Sequence, residues 1–421
     1  MSAMPYSFVT LLGKSVRAIA RLRGGGSALP GLFVEKISPD FIKKTLAPLD
    51  RGVVIISGTN GKTTTTKMVV ELLEAHGLRV FTNRTGSNFS RGVAAALLAE
   101  IDNHGILDAD IAVLELDEAH AVNFVKDVPP RYSLLLNVMR DQLDRFGEID
   151  ATAHLLEKIA QATTDTVVLN REDQRVRAIA ATLTDQHIEY FGLSDSLLTT
   201  FPSDDDLHGK VKKTARPQAD VVLKNYKDHE ATYNLGGHDF TTPLKLNGIY
   251  NVFNSAAAIA LTHAILDTEI KADVVLRTLS AVTPAFGRGE TLTLNGQPLE
   301  LVLVKNPSGF RLGLQSFPAE GYATMIAIND NYADGRDMSW LWDVEFDSLP
   351  GVAMVSGIRA YDMALRLQYD EVAMADVEPS LTKALADFVK LDKPKRIYCT
   401  YTAMLTLRKE LGKLTAVEAV L

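Results

Sequence analysis

The chain has 421 residues, with 44 Lys and Arg against 52 Asp and Glu for a formal net charge of −8, and it is 46% hydrophobic and 23% charged. This is the composition of a globular chain long enough for two or three domains, and its acidic balance excludes a protein whose main work is to coat nucleic acid. Cys399 is the only cysteine, so an internal disulfide and a cysteine-built zinc ribbon are both excluded.

No stretch reaches the roughly 18 uninterrupted apolar residues that a membrane span requires, and the first residues lack the basic flank of a signal peptide, so no transmembrane segment and a cytoplasmic location are expected. Residues 5–23 read as an amphipathic helix with Lys14, Arg17, Arg21 and Arg23, stopped by Gly24, Gly25 and Gly26. This helix opens an N-terminal arm over residues 1–50. Its basic face is either solvated beside the main domain or an electrostatic contact with anionic lipid.

From residue 51, apolar runs at 53–56, 111–114, 133–136 and 167–169 alternate with helical periodicity at 65–75, 92–101 and 151–163. Continuous apolar strands separated by helices predict an α/β fold with a mostly parallel, doubly wound sheet, spanning a central domain at 51–284. Residues 195–237 break the pattern with an acidic run, a basic patch and period-two stretches, and read as an insertion or a small antiparallel element. A helix is expected at 251–266 and a linker at 284–290. Strands at 301–304, 323–328, 351–355 and 396–400, with helices at 308–316, 360–367 and 379–389, make residues 285–421 a smaller C-terminal α/β domain.

The strongest local signal is Gly58, Thr59, Asn60, Gly61, Lys62, Thr63 and Thr64, placed after an apolar strand and opening a helix. Glycines let the backbone aim successive N–H groups at a phosphate, and the helix N-terminus adds partial positive charge. Lys62 can bridge terminal phosphates, and the hydroxyl of Thr63 can ligate Mg²⁺. The spacing is shorter than the common phosphate loop, because Ile56 stands where the first glycine would be. Glu115, followed by Leu116, Asp117 and Glu118, ends the 111–114 strand, where ligands collect in a parallel sheet, and is a second candidate for Mg²⁺. An acidic loop facing solvent is the plainer alternative. The acidic cluster at Asp141 and Asp144 either lines the same cleft or caps the next helix through Asp144 or Asp150. His120 stands beside the acidic loop, and residues 83–88 form a turn that could meet a substrate pyrophosphate or sugar.

Taken together, Gly58–Thr64, the Glu115 strand end, the Asn247–Ala257 string and Gly287-Arg288 resemble the Mur ligase superfamily of ATP-dependent carboxylate–amine ligases. Residues 140–150, 304–309 and 329–343 are similar to the MurT synthetase subunits within it. That resemblance implies a Mur ligase-like central ATPase domain. It also implies ATP and Mg²⁺ as cofactors, with Asn251 and Asn254 on the adenine side and Arg288 near the phosphates. Lys305 and Asp330 would close from the C-terminal domain. It further implies lipid II at the cytoplasmic membrane face as acceptor, and a GatD-like glutaminase as partner and ammonia source. Asp337 would complete the partner's Cys–His pair across the interface, and Lys62 and Glu115 would serve the phosphoryl step. A zinc ribbon occurs in some MurT chains; residues 195–237 hold no Cys, so zinc is not expected.

The implied chemistry is conversion of the D-glutamate α-carboxylate of the stem peptide to an acyl phosphate and then, with ammonia, to D-isoglutamine. Positive charge at Lys62, Arg288 and Mg²⁺ would stabilise the transfer. Two rivals stay open on sequence: a self-sufficient amino-acid-adding ligase of Mur or folylpolyglutamate synthase type, and a non-catalytic nucleotide-binding module.

Overall fold

Strands made of unbroken Val, Ile and Leu runs are stable only where both faces are covered, and the folded chain covers them. The structure, a computed structural model, describes residues 6–22, 29–83, 89–139, 149–198, 215–246, 248–283, 288–317 and 319–417. Helices α1 (Tyr6–Leu22), α2 (Leu29–Ile37) and α3 (Phe41–Leu46) open the chain. The alternation that follows is β1 (Val53–Ser57), α4 (Lys62–Ala75), β2 (Val80–Thr82), α5 (Ser90–Glu100), β3 (Ile111–Glu115), α6 (Glu118–Asp127), β4 (Tyr132–Leu135), α7 (Ile149–Ala162), β5 (Thr166–Asn170), α8 (Gln174–Ala178) and β6 (His187–Leu193). Then come β7 (Val221–Lys227), β8 (Glu230–Leu235), β9 (His238–Pro243), α9 (Ile249–Leu266) and α10 (Ala272–Ala281).

These strands form a nine-stranded sheet in the order β2-β3-β1-β4-β5-β6-β7-β8-β9. It is parallel from β2 through β7 and antiparallel across β7, β8 and β9. One face packs Met68, Leu72 and Leu73 of α4 with Val252, Ala256 and Ile259 of α9. The other packs Val93 and Leu97 of α5, Phe124 of α6 and Leu156 of α7, with Val9, Val34 and Phe41 of the first three helices. Gly31 marks the closest approach of α2 to α5: a Cβ there would stand 2.0 Å from the Arg91 carbonyl oxygen. The helix with its 3-10 extension, Ile249–Glu269, is long and apolar enough to cross a membrane, but 72% of its most apolar window is buried in this core.

Two expectations change here. Of the two readings of 195–237, the antiparallel element holds for its described part, but it is no separate element: β7 and β8 continue the central sheet, and the ribbon runs past residue 237 into β9. The strand before it, β6, is also missed by sequence, because His187, Glu189 and Tyr190 interrupt its apolar run. Arg288 lies at the start of a strand rather than in a linker.

The C-terminal part comprises β10 (Arg288–Leu294), β11 (Gln297–Leu303), α11 (Pro307–Ser316), β12 (Ala323–Ala327), β13 (Met354–Ser356), α12 (Ala360–Tyr369), β14 (Val377–Glu378), α13 (Leu381–Phe388), β15 (Lys395–Cys399) and α14 (Tyr401–Leu411). Its six strands run in the order β10-β11-β15-β12-β13-β14, with only the β10/β11 pair antiparallel. Phe310 of α11 is fully buried at the centre of one face, its ring 5.0 Å from Phe346, 5.5 Å from Tyr398 and 6.4 Å from Trp340. Phe310→Ala should cost about 3–5 kcal/mol of stability, read as an earlier urea transition in the fluorescence of the chain's two tryptophans.

Candidate active site

The parallel sheet brings the loop after β1 beside the end of β3, because Ile56 pairs in register with Glu115. Gly58 and Gly61 take φ values of 135° and 91°, which turn the loop tightly into α4. At Gly61 a Cβ would stand 2.6 Å from Nδ2 of Asn254, so the loop packs directly on α9. The hydroxyl of Thr63 donates to Oε1 of Glu115 at 2.7 Å. Glu115 is itself only 8% exposed. Two hard oxygen donors, one in the first turn of α4 and one at the end of β3, fit Mg²⁺, which takes few protein ligands and completes its shell with water and phosphate oxygens.

Lys62, the first residue of α4, is buried and donates to the carbonyls of Gly58 and Thr59, with the second contact at 3.3 Å. Its ammonium also lies 3.5 Å from Oε1 of Glu118, a buried carboxylate in the first turn of α6. Glu118, which follows Glu115 in the acidic loop, thus has the lysine as its observed partner. Asp117 caps α6 by accepting from the Ala119 N–H.

Asparagines frame the loop. Asn137 accepts from the Asn60 N–H and donates to the Asn60 carbonyl, both at 2.9 Å. Asn83 holds both backbone groups of Glu115, donating at 2.8 Å and accepting at 2.9 Å. Asn306, fully buried, caps α11 through the Gly309 N–H and exchanges side-chain amide hydrogen bonds of 3.3 and 3.4 Å with Asn60. Asn137 and Asn306 escaped sequence reasoning; an asparagine at each strand's C-terminal edge is the signal that could have found them.

On the α9 side, Tyr250, Phe253 and Asn254 line a pocket with Asn137, Asn170 and Asp173. Asp173 accepts from the N–H groups of Val138, Arg175 and Val176, yet burial pushes its carboxyl up to about 6. Asn251 sits in the first turn of α9, half-buried. Thr59 accepts from the Met139 N–H, and Thr64 is buried within α4.

The other predicted residues have settings of their own. Lys305 is half-buried next to Asn306. Asp330 is engaged by Arg359, with Nη2 at 2.6 Å. Asp337 is partly exposed and accepts from the Ser339 N–H at 2.9 Å; bonding to Ser339 holds its carboxyl below the ordinary value. His120 is exposed against the Phe89 ring. The side chain of Arg288, the Asp141–Gly147 cluster and residues 84–88 lie outside the described residues.

Two family models match the chain, the Mur ligase middle domain over residues 56–262 and the MurT ligase C-terminal domain over residues 303–404. A protein of Streptococcus pneumoniae named lipid II isoglutaminyl synthase (glutamine-hydrolyzing) subunit MurT is 29% identical over 96% of both chains. Among solved structures, a pseudomurein peptide ligase type C from Methanothermus fervidus aligns with a TM-score of 0.69 at 16% identity, covering 90% of this chain and 81% of that one. MurF ligase from Thermotoga maritima, in complex with ADP, aligns with a TM-score of 0.65 at 18% identity, covering 89% and 84%. At these identities the structures establish the fold.

The raised Asp173 carboxyl has a consequence for stability. Its folded-state value lies above the ordinary 3.8, so the stability it contributes is complete below pH 3.8 and is lost as pH rises through about 6. Stability of the native chain relative to Asp173→Asn should therefore decline between pH 4 and pH 7, measured by paired urea titrations. A Gly61→Ala variant, strained at positive φ and crowded by Asn254, should bind ADP at least about tenfold more weakly in a calorimetric titration.

Proposed function

The chain belongs to the Mur ligases that carry a MurT ligase C-terminal domain, and from that premise we infer that it is the ATP-consuming subunit of a two-subunit lipid II isoglutaminyl synthase. It is an ATP-dependent carbon–nitrogen ligase of peptidoglycan synthesis that amidates the D-glutamate α-carboxylate of the stem peptide to D-isoglutamine. The observation that carries this reading is the match over 96% of both chains to a subunit of that name. The nitrogen comes from a GatD-like glutaminase, and the work is done in the cytoplasm at the membrane face that holds lipid II.

A carboxylate is a poor electrophile, and bound ATP with Mg²⁺ supplies the phosphoryl group that turns it into an acyl phosphate. The loop from Gly58 to Thr64 presents backbone N–H groups and the α4 N-terminus to the phosphates. Thr63 and Glu115 offer the oxygen donors that would hold the metal. Lys62, now bonded to the carbonyls of Gly58 and Thr59, exchanges those acceptors for phosphate oxygens. Glu118 stays within reach to balance the lysine's charge in a dry site. Asn251 and Asn254 serve the base side, and Arg288, Lys305 and Asp330 complete the closure from the C-terminal part. Water exclusion matters here because water competes with ammonia for the activated acyl group.

Asp337 has a different task. An ionised, partly exposed carboxylate suits the orienting of a histidine tautomer and the stabilising of its imidazolium in a neighbouring subunit. The two roles separate experimentally. Lys62→Ala should lose amidation about 100-fold or more whether glutamine or ammonium salt is the nitrogen source. Asp337→Asn should lose glutamine-driven turnover by roughly 10³-fold or more while keeping ammonium-driven turnover. Equal loss of ammonium-driven activity in both variants would place Asp337 in the ATP site and end the cross-subunit role. Steady-state assays with each nitrogen source read the outcome.

A further inference from the structure

Helix α1 carries apolar residues on two opposite sides, and the fold covers one of them. Val9 and Gly13 are buried against the central domain. A Cβ at Gly13 would stand 2.6 Å from Cγ2 of Val34 and 2.7 Å from Cδ2 of Leu98, so α1 lies hard against α2 and α5 and cannot roll about its own axis. The other side is thereby fixed outward. Leu11, Ser15, Ala18 and Ile19, spaced by four, three and one residues and therefore on one stripe, are all exposed, Leu11 by 49% and Ile19 by 52%. None of the four is charged, in a chain where 23% of residues are. Leu29, the first residue of α2, adds a further leucine at 54% exposure.

Lys14 and Arg17, both half-buried, run along one flank of α1 between the stripe and the packed side. The Lys14 ammonium reaches Oδ1 of Asn103 at 3.4 Å. Charge is segregated along the chain. The first 34 residues hold four basic side chains, Lys14, Arg17, Arg21 and Arg23, and no acidic one, while the remaining 387 hold 40 basic against 52 acidic. Two acidic groups on the elements packed against α1 are engaged elsewhere. Glu35 of α2 pairs with Arg91 at 3.5 Å, and Asp102, next to Asn103, accepts from the N–H groups of His104 and Ile106 in its own loop.

An uncharged stripe beside a basic flank selects its occupant. A second copy of this chain would bring a like-charged arm against the first, which costs free energy. A bilayer with anionic lipids attracts the flank and takes the apolar stripe into its headgroup boundary, as it does with interfacial helices. Among the described residues the one helix long and apolar enough to cross a membrane lies mostly in the core, so a bilayer is met by a surface. We propose that the outer face of α1, with Leu11, Ala18 and Ile19 flanked by Lys14 and Arg17, docks this chain on an anionic bilayer. This rests on the reading above that the acceptor is lipid-linked. Because α1 belongs to the layer that holds α5 and α6, docking leaves the α4 and α9 layer on the far side of the sheet.

The test uses the full chain and phosphatidylcholine vesicles with or without phosphatidylglycerol. In vesicle co-sedimentation the native chain should bind the anionic vesicles about tenfold or more tightly than the neutral ones, and added salt should weaken that binding. Leu11→Asp with Ile19→Asp, and separately Lys14→Glu with Arg17→Glu, should each weaken it about tenfold or more. Ammonium-driven amidation of lipid II carried in those vesicles should fall in step, while turnover of a short-chain acceptor in solution stays within about twofold. Native binding that ignores the anionic lipid, or native affinity in both paired variants, overturns the membrane face alone. Loss of short-chain turnover in the variants would make the stripe structural and overturns it as well. Sedimentation showing a dimer that Leu11→Asp with Ile19→Asp splits, with vesicle affinity untouched, assigns the stripe to a second copy and does the same. A native chain that amidates neither acceptor from ammonium defeats the underlying functional reading instead.

Discussion

The hydrogen bond from the Thr63 hydroxyl to the Glu115 carboxylate, 2.7 Å long, joins two segments that are far apart in sequence, and the rest of the site is arranged around it. It exists because β1 and β3 are parallel neighbours with Ile56 opposite Glu115. A one-residue slip would turn Glu115 to the other face of the sheet and bury an apolar residue's place with a charge. The completely buried strands on both sides resist that slip, since each carries apolar side chains to both helical layers. Asn83 then fastens the Glu115 backbone and Asn137 fastens Asn60. Two oxygen donors and a set of loop N–H groups are held at one point before any ligand arrives, the preorganisation that electrostatic catalysis requires.

The buried Lys62–Glu118 pair adds charge to that frame. Such pairs contribute little net stability, because desolvation offsets the attraction, but removing one partner leaves a buried charge without compensation. Their value here is positional. The lysine enters α4 with its ammonium turned back over the loop, next to where phosphate is expected. The C-terminal part meets the same loop through the Asn60–Asn306 amides, and it meets the start of α9 where the Ile249 N–H donates to the Ser316 hydroxyl at 3.1 Å. A joint of short polar contacts can open and close over a nucleotide without breaking either hydrophobic core.

Much of this was legible in the sequence, and the gaps have physical reasons. Unbroken runs such as residues 53–56 and 111–114, bounded by turn signals and helical periods, point to doubly covered strands, so the parallel core and the glycine-bearing turn into α4 announce themselves. The β7–β9 ribbon was harder. Alternating strands such as Glu230–Leu235 bury one side chain in two, and the sequence carries no mark that they extend the central sheet. Glu115 was readable from its place after a strand, whereas Glu118 depends on how α6 turns its first residue toward Lys62. Asn306 looked like part of a string and proves to be both a helix cap and the link to Asn60. Asp337 is the opposite case: nothing near it in the chain supplies its chemistry, and its meaning comes from resemblance.

The central claim is that this chain phosphorylates an acceptor carboxylate without needing its nitrogen source. The most direct measurement is positional isotope exchange, using ATP labelled with heavy oxygen at the β,γ-bridge, lipid II as acceptor, and neither glutamine nor ammonium present. Scrambling of the bridge label that depends on lipid II is the result expected. Absence of scrambling until a free amino acid is supplied would contradict the account.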